Sequence, residues 1–380
     1  MREKKVERLE FWVLVETYLT LLSGNYYDAN NSLEYARQVI KNDTLKAQLD
    51  IFELALEISS YESISEEVEI EIERIKRRSR LYEENEDFTD FLDDKLAYMY
   101  NQEGRPGKAF LHHYTLDQLK PNPRMDILDD LIALCNKEKP NRFERELIAK
   151  GDSTIKNDLL DIKATLLMTN YDFEAALQVL KRMNRTDWDN YGVFHPFLEM
   201  VNDRVNRKLP DNVQVYNKGQ LIELLLDMEY KARAGTPNNA ELYYQLGLAH
   251  YNMSYFGYSW KTMDYFRSGT SIDRWIDGQG EDFVFSHTFY PFGNREHFDN
   301  TMALYYFEKA RIEAGTSELG IKATWMAAKC EQNIYYVEGG ERTNDYFDLL
   351  IANYNTLKDS SEFYQQIIRE CKYFQAYVPN

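Results

Sequence analysis

Histidines and aspartates crowd one stretch of the sequence, residues 269–300. His287 and His297 supply imidazole nitrogens there, and the accompanying carboxylates are those of Asp273, Asp277, Asp282 and Asp299. Imidazole together with carboxylate is a donor set that binds transition metals. The spacing of these residues matches no known metal-binding motif. We therefore interpret them as groups that form ordinary hydrogen bonds in a loop, and we predict no metal site.

Three arginines bracket the same stretch in an otherwise acidic sequence: Arg267, Arg274 and Arg295. A guanidinium group can hold a carboxylate through two parallel hydrogen bonds. Pairing with nearby acidic side chains is the simpler interpretation. Both interpretations stay open at the level of sequence.

Aromatic residues precede this stretch at regular intervals. Tyr243, Gly247, Tyr251 and Tyr255 follow one another every four residues, the spacing of one helix face. Such a face usually packs in a core, but tyrosine also provides binding area at a low cost in entropy. The candidate binding residues are therefore Tyr251, Tyr255, Tyr258, Trp260, Arg267, Arg274, Trp275, His287 and Arg295.

Motifs that carry catalysis are absent from the sequence. We find no nucleophile elbow, no phosphate-binding glycine loop and no H-E-x-x-H helix. Gly278 and Gly280 lie between acidic residues that would repel a phosphate. The sequence therefore predicts no catalytic residues, no cofactor and no enzymatic activity.

The net charge limits the classes of partner. The 380 residues include 45 basic and 63 acidic side chains, which gives a formal charge of -18. Nucleic acid and anionic membrane surfaces would repel such a protein, so a protein partner is the expectation. The three cysteines, Cys135, Cys330 and Cys371, are far apart and are interpreted as buried thiols.

The sequence shows no apolar run long enough to span a membrane and no signal peptide. At face value this predicts a cytoplasmic protein. The first residues already follow a helical pattern, so the chain is also compatible with a fragment of a longer envelope protein, in the periplasm or at the outer membrane. The compartment stays open.

Helical periodicity dominates the chain outside residues 269–300. Leu9, Val13, Val15, Leu19 and Leu22 are interpreted as the inner face of a first helix that ends at Gly24. A second helix carries Ala29, Leu33 and Ala36 as its buried ladder. The alternating residues Val68, Ile70 and Ile72 are interpreted as helix rather than strand, because Ser63 and Glu66 form a capping box ahead of them.

Two stretches carry the residues of a known repeat. Tyr243-x-x-Leu246-Gly247-x-x-His250 is similar to the first-helix signature W-x-x-L-G-x-x-Y. The sequence also has Leu96-Ala97-x-x-Tyr100, then Gly104, Ala109 and a closing Pro121. Both resemble the tetratricopeptide repeat family, which implies antiparallel helical hairpins, with Gly247 allowing a second helix to approach closely.

Small residues are interpreted as markers of the second helices: Ala29, Ala109, Ala176, Ser259 and Ala303. A helix is predicted to run from Ser259 to Arg267, followed by an irregular insertion over residues 269–300. In the unmarked parts, hairpins of the HEAT or Sel1 type remain open. The pattern Tyr346-Phe347-x-x-Leu350-x3-Tyr354 resembles tetratricopeptide lipoproteins of the bacterial envelope.

These observations predict an all-α protein: a right-handed α-solenoid of tetratricopeptide-like hairpins with one aromatic-rich insertion. The expected domains are residues 1–237, and residues 238–380 with the insertion at 269–300. The expected function is a non-catalytic scaffold whose concave face binds a protein partner. The alternative is a solenoid that binds a small ligand or a glycan at the insertion.

Overall fold

The computed structural model describes residues 8–78, 86–149, 155–199, 201, 213–268, 291–339, 343–353, 356 and 359–375. These residues form 18 α-helices and two 3-10 helices, and none of them belongs to a β-strand. An isolated bridge joins Phe194 and Tyr216. The predicted all-α class is confirmed.

The chain divides into two compact units. The first contains residues 1–116 and 124–156, and the second contains residues 117–123 and 157–380. The predicted domain boundary at residue 237 falls within the second unit.

The first unit is built from short, consecutive helices. They are α1 (Leu9–Leu22), α2 (Tyr26–Val39), α3 (Asp43–Ser59), α4 (Glu66–Arg78), α5 (Glu86–Gln102), α6 (Pro106–His113), α8 (Met125–Cys135) and α9 (Arg142–Ala149), with the one-turn helix α7 (Leu116–Leu119) between α6 and α8 in the chain.

The second unit contains the longer helices. They are α10 (Ile155–Thr169), α11 (Phe173–Leu180), α12 (Lys218–Arg233), α13 (Asn239–Met253), α14 (Thr301–Ala314), α15 (Glu318–Glu338), α16 (Asp345–Ala352), α17 (Glu362–Glu370) and α18 (Lys372–Gln375). The 3-10 helices are Arg185–Tyr191 and Trp260–Thr262.

The first hairpin confirms one predicted face and corrects the other. Ala29, Leu33 and Ala36 of α2 are buried as predicted. On α1, however, Val13 and Thr17 are the buried residues, while Leu9, Leu19 and Leu22 are 49%, 59% and 63% exposed. The predicted inner face of α1 is therefore confirmed at Val13 and wrong at Leu9, Leu19 and Leu22. Apolar residues occupy both sides of this helix, and spacing alone does not say which side packs.

Helix α4 confirms the helical interpretation of the alternating residues 68–72. Its predicted cap was misplaced by two residues. The hydroxyl of Ser65, rather than that of Ser63, accepts the backbone N–H of Val68 at 3.3 Å. An unpaired N–H group at a helix start gains a hydrogen bond in either case.

A buried charge network fixes the centre of the first unit. Lys108 of α6 is 3% exposed, and its ammonium group donates to Glu69 at 2.6 Å and to Glu144 at 2.8 Å. Tyr100 donates to the same oxygen of Glu69 at 2.6 Å. Lys137 donates to the other oxygen of Glu144, and the pKa of Glu144 is lowered to about 2 by these hydrogen bonds, which outweigh its burial. Charges this deeply buried need such partners.

A close contact between two helices of the second unit explains Gly247. A Cβ atom at this position of α13 would lie 2.7 Å from two ring carbons of Phe307 on α14. The prediction that Gly247 admits a second helix is therefore confirmed, and that helix is the one marked by Ala303. The predicted helix from Ser259 to Arg267 is wrong. Within residues 254–268 the only helix is the 3-10 turn Trp260–Thr262.

Large aromatic side chains fill the rest of the second core. Trp325, Tyr364, Phe347 and Phe374 are fully buried. The predicted helix over residues 323–332 is confirmed within α15, which ends before Gly339 at φ 71°. All three cysteines are free thiols. Cys330 and Cys371 are buried, whereas Cys135 is half-buried.

Candidate functional site

Residues 254–268 form a compact loop directly after α13. The N–H of Ser259 donates to the carbonyl of Asn252 at 2.8 Å. The amide of Asn252 in turn donates to the carbonyls of Pro196 and Leu198 at 3.0 Å and 2.8 Å. A Cβ atom at Gly257 would lie 2.2 Å from the Asn252 Cα, so this loop requires glycine there. We call residues 254–268 the aromatic loop.

The aromatic loop brings several predicted binding residues together around Arg267. Its guanidinium lies 4.9 Å from the ring centre of Tyr255 and 5.8 Å from that of Trp260. It also donates to the carbonyl of Gly257 at 3.2 Å. Arg267 therefore holds the loop together by cation–π contacts and a hydrogen bond.

Burial separates the candidate residues into two groups. Tyr251 and Tyr255 are each 5% exposed, so they pack rather than present a surface. Tyr258, Trp260 and Arg267 are half-buried and reach the surface of the unit. Tyr255 lies beyond the end of α13 at Met253. The predicted four-residue stripe therefore stays on the helix only as far as Tyr251.

Part of the candidate set lies outside the described residues. This applies to Arg274, Trp275 and His287, and also to Asp273, Asp277 and Asp282. Arg295 is described and exposed, and its backbone N–H donates to the carbonyl of Pro121 at 2.8 Å.

The segments on either side of residues 269–290 are tied to the second unit. The N–H of Ser268 donates to the Glu296 carboxylate at 2.7 Å, and the Tyr255 hydroxyl donates to the carbonyl of Ser268 at 2.6 Å. Asn122 donates to the carbonyl of Phe292 at 2.6 Å. These bonds fix the two described segments that adjoin residues 269–290 in the sequence.

His297 and Asp299 belong to a buried hydrogen-bonded chain. Tyr171 donates its hydroxyl proton to Asp299 at 2.9 Å, and the Nε2 atom of His297 lies 3.3 Å from the same hydroxyl oxygen. Because that proton is committed to Asp299, the Nε2–H of His297 is the donor to Tyr171. Burial lowers the pKa of His297 to about 4. The interpretation of His297 and Asp299 as hydrogen-bonding groups agrees with this geometry.

The backbone at Tyr171 adopts a conformation that tyrosine rarely accepts. Its φ is 59°, in the left-handed region, at the turn between α10 and α11. Glycine would fill this position at lower cost. The tyrosine ring contacts His297 and its hydroxyl binds Asp299, so side-chain bonds offset the backbone strain.

His250 lies beside this chain without hydrogen bonds of its own. It is 3% exposed, and neither ring nitrogen has a partner among the described residues. Its ring stacks on Tyr306 at 5.3 Å and contacts Tyr171 and Phe173 at 5.6 Å each. Burial, reinforced by the charge of His297, lowers the pKa of His250 to about 3. His250 is therefore a neutral packing residue whose ring nitrogens have no hydrogen-bond partner in the described part of the chain.

A second buried polar group joins the aromatic loop to α10. The Lys218 ammonium donates to Asp161 at 2.8 Å and to Thr165 at 2.7 Å, and Tyr265 of the loop also donates to Asp161. Every charge here has a partner, so the arrangement holds structure rather than a reacting group. In the described part of the chain, no group of three or more histidine, cysteine or acidic side chains is arranged to bind a metal.

Sequence reasoning missed the outward side of α1. Phe11, Trp12, Tyr18, Leu19 and Leu22 are 48%, 55%, 45%, 59% and 63% exposed. Phe11, Val15, Tyr18 and Leu22 follow one another at steps of four, three and four residues, the spacing with which one helix packs along another. We call these four residues the seam. This spacing was the signal in the sequence that would have found it. We call Phe11, Trp12, Val15, Tyr18, Leu19 and Leu22 the α1 outer face.

Within the described residues, no helix is both long enough and apolar enough to span a bilayer. No protein-family model, curated protein or solved structure matches this chain.

Proposed function

We propose that this chain is a non-catalytic protein-interaction module built from tetratricopeptide-like hairpins, and that it docks a partner helix on the α1 outer face. The observation that carries the proposal is the exposure of this face. Five of its six side chains are large apolar groups that are between 45% and 63% exposed. The hairpin architecture is supported by the close approach of Gly247 to Phe307.

A helix that is apolar on both sides is normally enclosed on both sides. On α1, Val13 and Thr17 face the first core, and the ring of Tyr18 stacks on Phe52 of α3 with 5.6 Å between ring centres. The remaining large side chains of the α1 outer face, those of Phe11, Trp12, Leu19 and Leu22, are 48% to 63% exposed. Among the described residues, 17 large hydrophobic side chains are exposed, and nine of these lie between Leu9 and Tyr35. Such concentration in one hairpin is typical of an interaction site rather than of scattered surface residues.

The seam spacing indicates the kind of partner. An apolar row at steps of three and four residues packs against a second helix with a similar row. The formal charge of -18 makes nucleic acid and anionic lipid poor alternatives. The expected partner is therefore an amphipathic protein helix.

Site-specific photo-crosslinking tests this proposal. A photoreactive residue at Leu19 should crosslink to a helical segment of one protein in native cells. The complex should then re-form from purified components, and Trp12→Glu should weaken it at least about tenfold, as for a central apolar contact. Tyr98→Glu is the matched control, since Tyr98 is an aromatic residue of α5 that is 60% exposed. Equal effects of the two substitutions would contradict the proposal.

A second candidate function is ligand binding at the aromatic loop, which the half-buried Trp260, Tyr258 and Arg267 favour. Aromatic faces beside a guanidinium suit a glycan or another small polar ligand. Titration with a panel of neutral and acidic oligosaccharides should quench tryptophan fluorescence, and Trp260→Ala should abolish the change. An unchanged spectrum across the panel would remove this candidate.

A further inference from the structure

We propose that the α1 outer face binds the α1 outer face of a second copy of this chain, with the two helices antiparallel. This inference rests on the proposed function and names the partner of the same surface. Three properties of the face support this pairing: the sizes of its side chains, the position of its charges and its area.

The sizes along the seam are self-complementary in one orientation. When two α1 helices run antiparallel about a centre between Val15 and Tyr18, Val15 faces Tyr18 of the partner subunit. Phe11 then faces Leu22 of the partner subunit. Each contact matches a larger side chain with a smaller one, which allows close packing. A parallel pair would instead place Tyr18 against Tyr18 of the partner subunit, where two large side chains are crowded. It would also place Val15 against Val15 of the partner subunit, where two small side chains leave a gap.

The charges of α1 lie away from the seam. Its acidic residues are Glu10 and Glu16. At about 100° of rotation per residue, both lie more than about 100° around the helix from the centre of the seam. Trp12 and Leu19 flank the seam instead. Like charges therefore do not face each other across the pair, although each copy carries a formal charge of -18.

The area of the face suits a reversible dimer. Phe11, Trp12 and Tyr18 are each about half exposed. An enclosed aromatic side chain buries about 150–250 Å², so these three rings contribute on the order of 300 Å² per copy. Leu19 and Leu22 add further apolar area, which brings the pair close to the roughly 1,000 Å² in total that a specific interface needs. The exposed Tyr26, Tyr27 and Tyr35 of α2 lie in the same hairpin. We expect a dissociation constant in the micromolar range.

Sedimentation velocity of the full chain tests the dimer. We expect a monomer–dimer equilibrium that tightens as salt is raised, because screening reduces the repulsion between two acidic copies. Phe11→Glu and Leu22→Lys should each weaken the dimer at least about tenfold, since each places a charge in the apolar seam. Tyr98→Glu should leave the equilibrium unchanged. Far-UV circular dichroism of each variant checks that the fold is retained.

A mixture of the two variants tests the orientation. In the antiparallel pair, the glutamate of Phe11→Glu faces the lysine of Leu22→Lys, while native Leu22 and Phe11 face each other at the other end. The mixture should therefore dimerise at protein concentrations at which neither variant dimerises alone. In a parallel pair these charges do not meet, so absence of rescue would overturn the antiparallel arrangement.

The outcomes separate this inference from the proposed function. A chain that stays monomeric at several hundred micromolar would overturn the second copy as partner. The proposed function would still stand in that case if Trp12→Glu disrupts the crosslinked complex. A dimer that is indifferent to both seam substitutions would overturn the inference by placing the contact elsewhere on the chain.

Discussion

Single residues at close contacts decide where helices of this protein can meet. Gly247 has no side chain where α13 meets Phe307, and Gly257 has none where the aromatic loop folds back on Asn252. Lys108 joins Glu69 and Glu144 in a buried network that hydrophobic pattern alone does not reveal. Single substitutions at these positions therefore test the individual contacts that the residues make.

Gly247→Leu should destabilise the second unit by about 1–3 kcal/mol or more, because even the first added carbon would lie within van der Waals distance of Phe307. The added Cβ alone would be 2.7 Å from the ring. Urea unfolding measures the change. Gly247→Ala with Phe307→Leu should be less destabilised than the sum of the two single variants, because the smaller side chain makes room. Strict additivity would show that the two positions are not in contact.

Acid should destabilise the folded chain through His250 and His297. Burial lowers their pKa values to about 3 and about 4, whereas an unfolded histidine titrates near 6.5. The unfolded state therefore binds more protons below pH 6.5, and stability falls as the pH drops from about 6.5 towards 4. At pH 5 each histidine should cost about 2 kcal/mol.

His250→Phe should reduce this loss of stability between pH 7 and pH 5, because phenylalanine retains the stacking on Tyr306 and takes up no proton. Thermal melts at closely spaced pH values give the slope. The same substitution at His113, an exposed residue of α6, provides the reference for removal of one histidine. If His250→Phe and His113→Phe change the slope equally, the lowered pKa of His250 is contradicted.

At the scale of elements, the hairpin of α13 and α14 contains a long connection between its two helices. This connection includes the aromatic loop and residues 291–300, which are tied to the unit by Ser268, Glu296 and Asn122. In a repeat protein, an insertion outside the hairpins is expected to contribute little to stability, because the stabilising contacts are those between neighbouring hairpins. The contacts of Phe292, Arg295 and Glu296 instead lead us to expect a loss of stability when residues 271–296 are replaced.

Replacing only residues 271–290 with a Gly/Ser segment of equal length should lower the melting temperature by less than replacing residues 271–296, because the hydrogen bonds of Ser268, Phe292 and Glu296 are retained. Replacing residues 271–296 should lower it by several degrees. Differential scanning calorimetry compares the two proteins. If the shorter replacement also prevents folding, the replaced residues belong to the core.

At the scale of the whole molecule, acidic charge opposes compaction. The formal charge is -18, and most acidic side chains lie outside the two buried networks of Lys108 and Lys218. Repulsion among such charges weakens the folded state and is screened by salt.

Raising the ionic strength from about 0.01 M to about 0.1 M should therefore raise the melting temperature, because the screening length falls from about 30 Å to about 10 Å. Calorimetry at a concentration below the dissociation constant of the proposed dimer separates this effect from association. The same scan on Leu22→Lys supplies the monomeric control. A lower melting temperature in salt would mean that surface ion pairs dominate over net repulsion.

The sequence alone determined the all-α class, because helical periodicity, caps and glycine stops are local properties of the chain. It also placed Gly247 against a second helix and identified Ala29, Leu33 and Ala36 as buried. Only the tertiary structure decided which side of α1 is covered, since Leu9 and Leu19 are as apolar as Val13 and burial depends on neighbours. It likewise decided that α13 pairs with α14 across a long connection, because contacts between residues distant in sequence leave no local pattern. For the same physical reason, the sequence did not reveal the buried contacts of Lys108, His250 and Tyr171, which involve residues distant in the chain.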